Sequence, residues 1–131
     1  IWRTAFEQVI TSPLGIGLGH VGAIGTGNKI VFSAENSYLA MALDAGWLGV
    51  LSYTLGLLFA IFKLRKHAKI YAKLKDERGR RICVASYAVL TYFMGVMWFS
   101  NHIQDMEAVT MVYLYAGVGL SYVEHKKIKR Y

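Results

Sequence analysis

Residues 45–62 read AGWLGVLSYTLGLLFAIF, and residues 63–81, directly after them, read KLRKHAKIYAKLKDERGRR. The first run has no charged side chain, and the second carries nine lysines and arginines against only Asp76 and Glu77. An apolar run that ends on a block of cations is the pattern of a helix that crosses a bilayer and stops at a charged face. The reason is that a Lys or Arg at the bilayer centre costs about 3 kcal/mol while an apolar side chain is favoured there. Two further apolar stretches, 82–100 and 108–123, follow, each bracketed by charged or polar residues. A spanning helix needs about 20 apolar residues, with a lower bound of roughly 17, so the third stretch is marginal. It reaches across if Met106 and Glu107 lie in the headgroup region and Tyr122 anchors the other end.

Composition agrees. Of 131 residues, 55% are hydrophobic and 14% aromatic, too much apolar surface for a soluble domain of this size to hide. The formal charge of +7 is not spread over a surface that would read nucleic acid. It is concentrated in 63–81 and in Lys126, Lys127, Lys129 and Arg130. Basic flanks resist translocation, which places both segments in the cytoplasm and makes nucleic acid an unlooked-for partner. Everything before residue 45 then faces outward. So does the connector 101–107, which carries Asp105 and Glu107 and no Lys or Arg.

The sequence thus predicts an all-α polytopic membrane chain. Residues 1–44 form an extracytoplasmic segment that leads into the first span. Residues 45–131 hold three transmembrane helices, with a basic cytoplasmic connector at 63–81 and a basic cytoplasmic tail at 124–131. Cys83 is the single cysteine, which excludes an intrachain disulfide and a cysteine-rich metal site and leaves a small core residue. The chain opens at Ile1 with no cationic and apolar leader, so an outward N-terminus is expected to be delivered by earlier spans of a longer protein, of which this is the C-terminal part.

Within the outer segment, Trp2, Phe6, Val9 and Ile10 recur at helical spacing with Arg3, Glu7 and Gln8 between them, which predicts a short amphipathic helix lying on the membrane surface. Ser12-Pro13 ends it, because proline lacks a donor and pushes the preceding residue out of the α region. Gly15, Gly17, Gly19, Gly22, Gly25 and Gly27 then predict an irregular loop. Residues 17–22 match the dinucleotide pattern GxGxxG, but a helix precedes them and spans follow, so the strand–turn–helix context of a phosphate cradle is missing. Ser33 is placed to cap the next helix, with Glu35 in its first turn. Ala45, Gly46 and Gly49 are small enough to let a neighbouring span approach. In the basic connector, Ile70, Tyr71 and Leu74 admit an amphipathic helix on the anionic inner leaflet, although fixing topology is reason enough for its charge.

One constellation is more specific. Pro13-Leu14-Gly15-Ile16-Gly17 is followed by Glu35-Asn36, nine residues, and then Gly46-Trp47-Leu48-Gly49. This resembles the O-antigen ligase and polysaccharide polymerase family, in which a Pro-Leu-x-Gly-like turn in a large outer loop leads to a His-Asn pair, nine residues and Gly-x-x-Gly where a membrane helix begins. The Trp-containing helix before the turn and the run Asn36-Ser37-Tyr38-Leu39 extend the resemblance over roughly the first half of the chain. It implies metal-independent, inverting transfer of a glycan from an undecaprenyl-diphosphate carrier to an acceptor glycan hydroxyl, without a cofactor. The expected setting is the outer face of the bacterial plasma membrane, in O-antigen, capsule or exopolysaccharide biosynthesis, beside other components of a polysaccharide export assembly. Where the ligases carry histidine this chain has Glu35, which fits the polymerase or exopolysaccharide branch better. On its own this segment is expected to be inactive.

Such a transfer needs a base at the acceptor hydroxyl and positive groups at the leaving diphosphate. Glu35 is the candidate catalytic base, its other use being to complement the helix dipole. Arg3 and Lys29 are the basic side chains of the outer segment and the candidates for diphosphate contact. Arg3 serves equally as a headgroup anchor beside Trp2. His20, after the glycine turn, is a candidate donor to sugar or phosphate or else a solvated loop residue. Asn36 is a candidate sugar ligand or a helix-start residue. Asp44 is a candidate because an intramembrane carboxylate is costly unless it faces a cavity or a partner, although interfacial depth would also accommodate it. Counted at about 100° per residue, Asp44 lies opposite Glu35 on a helix, which disfavours a two-carboxylate hydrolase. His102 and Asp105 share the second outer loop and have no motif behind them. Met94, Met97, Met106 and Met111 read as packing residues. The alternative class is a non-catalytic transporter or channel segment, with the glycine loop as a re-entrant gate and Asp44 lining a pathway.

Overall fold

The computed structural model describes residues 2–17, 36–99 and 106–128. Among them all regular structure is helical: α1 (Trp2–Thr11), α2 (Ser37–Lys73), α3 (Glu77–Val96) and α4 (Met106–Ile128). The chain divides into two compact units, Ile1–Leu55 with Gly95–Met106, and Gly56–Met94 with Glu107–Tyr131.

In the first unit, α1 ends as the proline predicts. Ser12 to Gly15 form a β-turn closed by the Gly15 N–H donating to the Ser12 carbonyl at 2.9 Å, with Pro13 at the second position, where its fixed φ is at home. Val9 is buried with Leu39, Ala40, Ala42 and Leu43 of α2, and Val50 packs on that cluster. Phe6 and Ile10 stay exposed on the same helix.

Helix α2 starts one residue after Asn36, and this corrects the expected cap. Asn36 Oδ1 accepts the Leu39 N–H at 3.0 Å, and the Asn36 carbonyl accepts the Ala40 N–H, the paired signature of an N-cap. Ser33 is therefore not the cap of this helix, and Glu35 precedes the cap instead of occupying the first turn. The second correction concerns Gly46, whose φ of 69° and ψ of −174° interrupt α2 with a conformation open essentially to glycine alone. The helix is thus two segments, 37–45 and 47–73. At Gly46 the backbone of the proline turn, and not a neighbouring span, occupies the space a side chain would take, whereas a Cβ on Gly49 would meet only Ala45 and Met41 of the same helix. A Cβ on Gly46 would stand 2.5 Å from the Leu14 carbonyl carbon, and one on Gly15 would stand 2.6 Å from the Asp44 carbonyl oxygen.

In the second unit, the lower part of α2 packs with α3 and α4. Leu57, Ala60, Ile61, Leu64, Ala68 and Tyr71 form the buried stripe of α2, and Gly79, Cys83, Ser86, Leu90 and Phe93 that of α3. Both recur at three and four residues, as packed helices require. The closest approach is at Gly119 of α4, where a Cβ would lie 2.7 Å from Leu64 Cδ2 and 2.7 Å from Ser86 Oγ. Tyr71 meets Tyr122 edge to face at 5.9 Å, and Lys63 pairs with Glu124 at 2.5 Å.

The basic segment 63–81 is helical on both sides of a short turn, its residues belonging to the end of α2 and the start of α3. Lys, Arg, Ala and Leu are strong helix formers, so the helix continues past the end of the apolar run. Only residues 74–76 turn the chain. The Asp76 N–H donates to the Tyr71 carbonyl and the Lys75 N–H to the Ala72 carbonyl, a Schellman motif with Lys75 at φ 54°. Asp76 then caps α3, its Oδ1 accepting the Gly79 N–H at 3.0 Å. Tyr71 is buried among the helices, so the apolar residues of this segment do not form a separate surface-lying helix.

At about 1.5 Å per residue, the segment 47–73 of α2 is about 40 Å long, beyond the roughly 30 Å of a hydrocarbon core. Among the described residues α2 is the one helix both long and apolar enough to cross a membrane, where the sequence predicts three such helices. The 20 residues of α3 include Arg78, Arg80 and Arg81, which shortens its apolar part. Only 17% of the most apolar window of α2 is buried, which distinguishes it from the core helix of a soluble protein. Leu48, Leu51, Leu55, Phe59 and Phe62 recur every three or four residues, and all are exposed.

Candidate functional site

The break in α2 frees backbone groups that a continuous helix would pair internally. The Leu43 carbonyl would accept from Trp47, and the Asp44 carbonyl from Leu48. The turn at 13–17 satisfies them instead. The Ile16 N–H donates to the Leu43 carbonyl at 2.7 Å and the Gly17 N–H to the Asp44 carbonyl at 3.2 Å. In return the Trp47 N–H donates to the Pro13 carbonyl at 3.1 Å. Gly15 and Gly17 reach this position through φ of 83° and 102°, values that L side chains rarely adopt. Turn and break are therefore one backbone unit: each satisfies polar groups the other leaves open, as buried backbone groups require.

Asp44 sits at this junction. Its Oδ1 is buried and has no hydrogen-bond partner among the described residues, and the whole side chain is half-buried. A buried carboxylate oxygen left unpaired is rare enough in folded proteins to call for a reason, and a site for a ligand is one. The second segment of α2 begins at Trp47, so the run Gly46-Trp47-Leu48-Gly49 is a helix N-terminus, the positive end of the dipole.

Asn36 is nearly fully buried, and both ends of its amide are engaged. Oδ1 caps α2, while Nδ2 donates to the Trp98 carbonyl at 2.9 Å. The Ser37 N–H likewise donates to the Met97 carbonyl at 2.9 Å, so open donors at the start of α2 pair with open acceptors after α3. Tyr38 stacks at a tilt on Trp98, with ring centroids 5.3 Å apart. The geometry of Asn36 is that of a residue that positions the helix start. Arg3 is exposed on α1 and donates Nε–H to Glu7 Oε1 at 3.1 Å, one helical turn away.

The structure thus joins Asp44 and the glycines at 15, 17 and 46 in one place, sets Asn36 at the head of the same helix, and leaves Arg3 on the outside of α1. Glu35, His20, Lys29, His102 and Asp105 lie outside the described residues. Sequence reasoning missed the partnership of Gly15 with Gly46 and that of Asn36 with Trp98. The first had a signal, since a glycine inside an apolar helical run marks a place where a backbone can approach. The second had none, since the Trp98 carbonyl is a main-chain group sixty-two positions away.

Compared with known proteins, the chain matches no family model, no curated sequence and no solved structure.

Proposed function

We propose that this chain is part of a bacterial membrane glycan polymerase or ligase, which moves a glycan from an undecaprenyl-diphosphate carrier to an acceptor sugar at the outer face of the plasma membrane. The observation that carries the reading is the joining of turn and break. The two glycine-containing blocks on which the resemblance to the O-antigen ligase and polymerase family rests, 13–17 and 46–49, meet through the Trp47 N–H donating to the Pro13 carbonyl, while the Ile16 and Gly17 N–H groups bond the Leu43 and Asp44 carbonyls just ahead of the second block.

In this reading α2 and, less completely apolar, α3 and α4 cross the bilayer, with the basic segments on the cytoplasmic side and residues 1–44 outside. The acceptor hydroxyl attacks the anomeric carbon, the bond from that carbon to the diphosphate oxygen breaks, and the hydroxyl proton passes to the Glu35 carboxylate. The diphosphate leaves on its lipid carrier with its added charge. The N-terminus of the second α2 segment presents backbone N–H groups and a positive dipole end on the outer side, suited to that charge. Arg3, Lys29 and His20 are the side chains of the outer segment that would add to it. Asp44, with one oxygen unpaired, is suited to accept a sugar hydroxyl. Asn36 holds the helix whose start follows Glu35. Membrane lipid, the carrier-linked glycan and the acceptor glycan are the partners this reading requires, with earlier spans supplying the rest of the site.

A strain carrying Glu35→Gln tests it. Loss of a general base lowers the rate by at least about 100-fold, so surface polysaccharide chains shorten while the protein still enters the membrane fraction. Unchanged chain length with normal insertion would reject the reading. The unpaired Asp44 oxygen also favours a second reading, a transport segment in which this carboxylate lines the path. That protein would tolerate Glu35→Gln and lose transport with Asp44→Asn.

A further inference from the structure

The outward face of the second unit changes character abruptly along its length. On α2, Phe59 and Phe62 are 65% and 62% exposed, and Arg65, Lys66, Lys69 and Lys73 continue the exposed face at steps of three and four residues. On α3 the same transition runs the other way. Arg78 and Arg81 are exposed, and the same helical stripe then reaches Ala85, Ala88 and Tyr92, all exposed, Tyr92 at 74%. The Schellman turn at 74–76 joins the two basic ends, so these cations sit on paired helices. Lys63 and Arg80 are in ion pairs with Glu124 and Glu77. Among the described residues no ion pair engages Arg65, Lys66, Lys69, Lys73, Arg78 or Arg81.

We infer that this basic end of the α2–α3 hairpin is a docking surface for the phosphate headgroups of anionic phospholipids in the leaflet from which it emerges. The inference rests on the membrane reading given above and goes beyond its topology, because it concerns which face holds the cations. Charges that merely resisted translocation would do so from any side of the helix. Here they extend the face that would meet acyl chains, opposite the buried stripe of Leu64, Ala68 and Tyr71. Lys66 and Lys69 are about 4.5 Å apart along the helix axis, within the roughly 5–8 Å depth of one headgroup layer, and Lys73 lies about one turn further out. Lysine and arginine suit the position, since the stem lies on apolar surface while the charged end reaches phosphate. Lipid is favoured over an acidic protein because the cationic face is continuous with the apolar one, so a single amphiphile covers both.

The test is lipid selectivity measured by electron spin resonance, with the full chain in phosphatidylcholine bilayers doped with spin-labelled phosphatidylglycerol or spin-labelled phosphatidylcholine. The expected result is a motionally restricted fraction with phosphatidylglycerol preferred at least about threefold, each well-placed cation adding to the attraction. The preference should fall toward parity in the Lys66→Gln, Lys69→Gln, Lys73→Gln triple variant. It should also weaken at least about twofold for the unaltered chain in about 1 M salt, where the Debye length is only about 3 Å. Equal restriction of both labels in the unaltered chain, or selectivity retained in the triple variant, overturns the inference and leaves the membrane reading standing. Restriction of neither label overturns the membrane reading, and the inference with it.

Discussion

Gly46 is the residue on which the first unit turns. Its φ of 69° with ψ of −174° excludes a side chain, and the Leu14 and Gly15 backbone fills the space where a Cβ would go. Gly56, ten positions along the same helix, has open space in that direction. The two glycines therefore respond oppositely to the same change. Gly46→Ala is expected to destabilise by about 3 kcal/mol, from the disallowed conformation and the lost turn contacts. Gly56→Ala is expected to stabilise by about 0.5–1 kcal/mol, because alanine loses less backbone entropy in a helix. Thermal unfolding in detergent followed by circular dichroism separates them, and equal shifts would contradict the geometry. The sequence alone did not distinguish these glycines, because hydropathy records that a glycine sits in an apolar run and not the sign of its φ. The same blindness explains the cap. Ser33 and Asn36 are both good capping residues, and what selects Asn36 is a carbonyl on Trp98 that no local pattern reports.

Among the elements, the hairpin between α2 and α3 has the plainest energetics. Lys75 occupies the left-handed position of a Schellman motif, where glycine is preferred, and Asp76 both completes that motif and caps α3. Lys75→Gly should raise stability by about 0.5–1 kcal/mol through relief of the positive φ. Asp76→Ala should lower it by about 1 kcal/mol through loss of the cap. Chemical denaturation of the two variants beside the unaltered chain checks both signs. The helical character of all these elements was legible from hydropathy and from Pro13. Their ends were less so, since α2 runs on through residues 63–73, where the apolar signal has already stopped. Hydropathy marks where a bilayer would end, whereas helix propensity and the turn at 74–76 decide where the helix ends.

For the molecule as a whole, the charge pattern and the exposed apolar face argue for the same arrangement. The α2 window suited to a membrane is largely uncovered by the rest of the chain, and its exposed stripe passes from Leu48 through Phe62 into lysines. The glycan reading adds the chemistry of the outer segment, whose motif spacing was visible in the sequence. The backbone joining of 13–17 to the break was not visible, because it is made by main-chain groups. Every functional statement depends on those two ends of α2 lying on opposite sides of a bilayer. The direct measurement uses single cysteines in a Cys83→Ser background, at Leu14, which is 78% exposed, and at exposed Lys69, with a membrane-impermeant maleimide. In intact cells Leu14→Cys should react and Lys69→Cys should not, and Lys69→Cys should react once the membrane is permeabilised. Reaction of Lys69→Cys in intact cells, or protection of both positions until permeabilisation, would contradict the account.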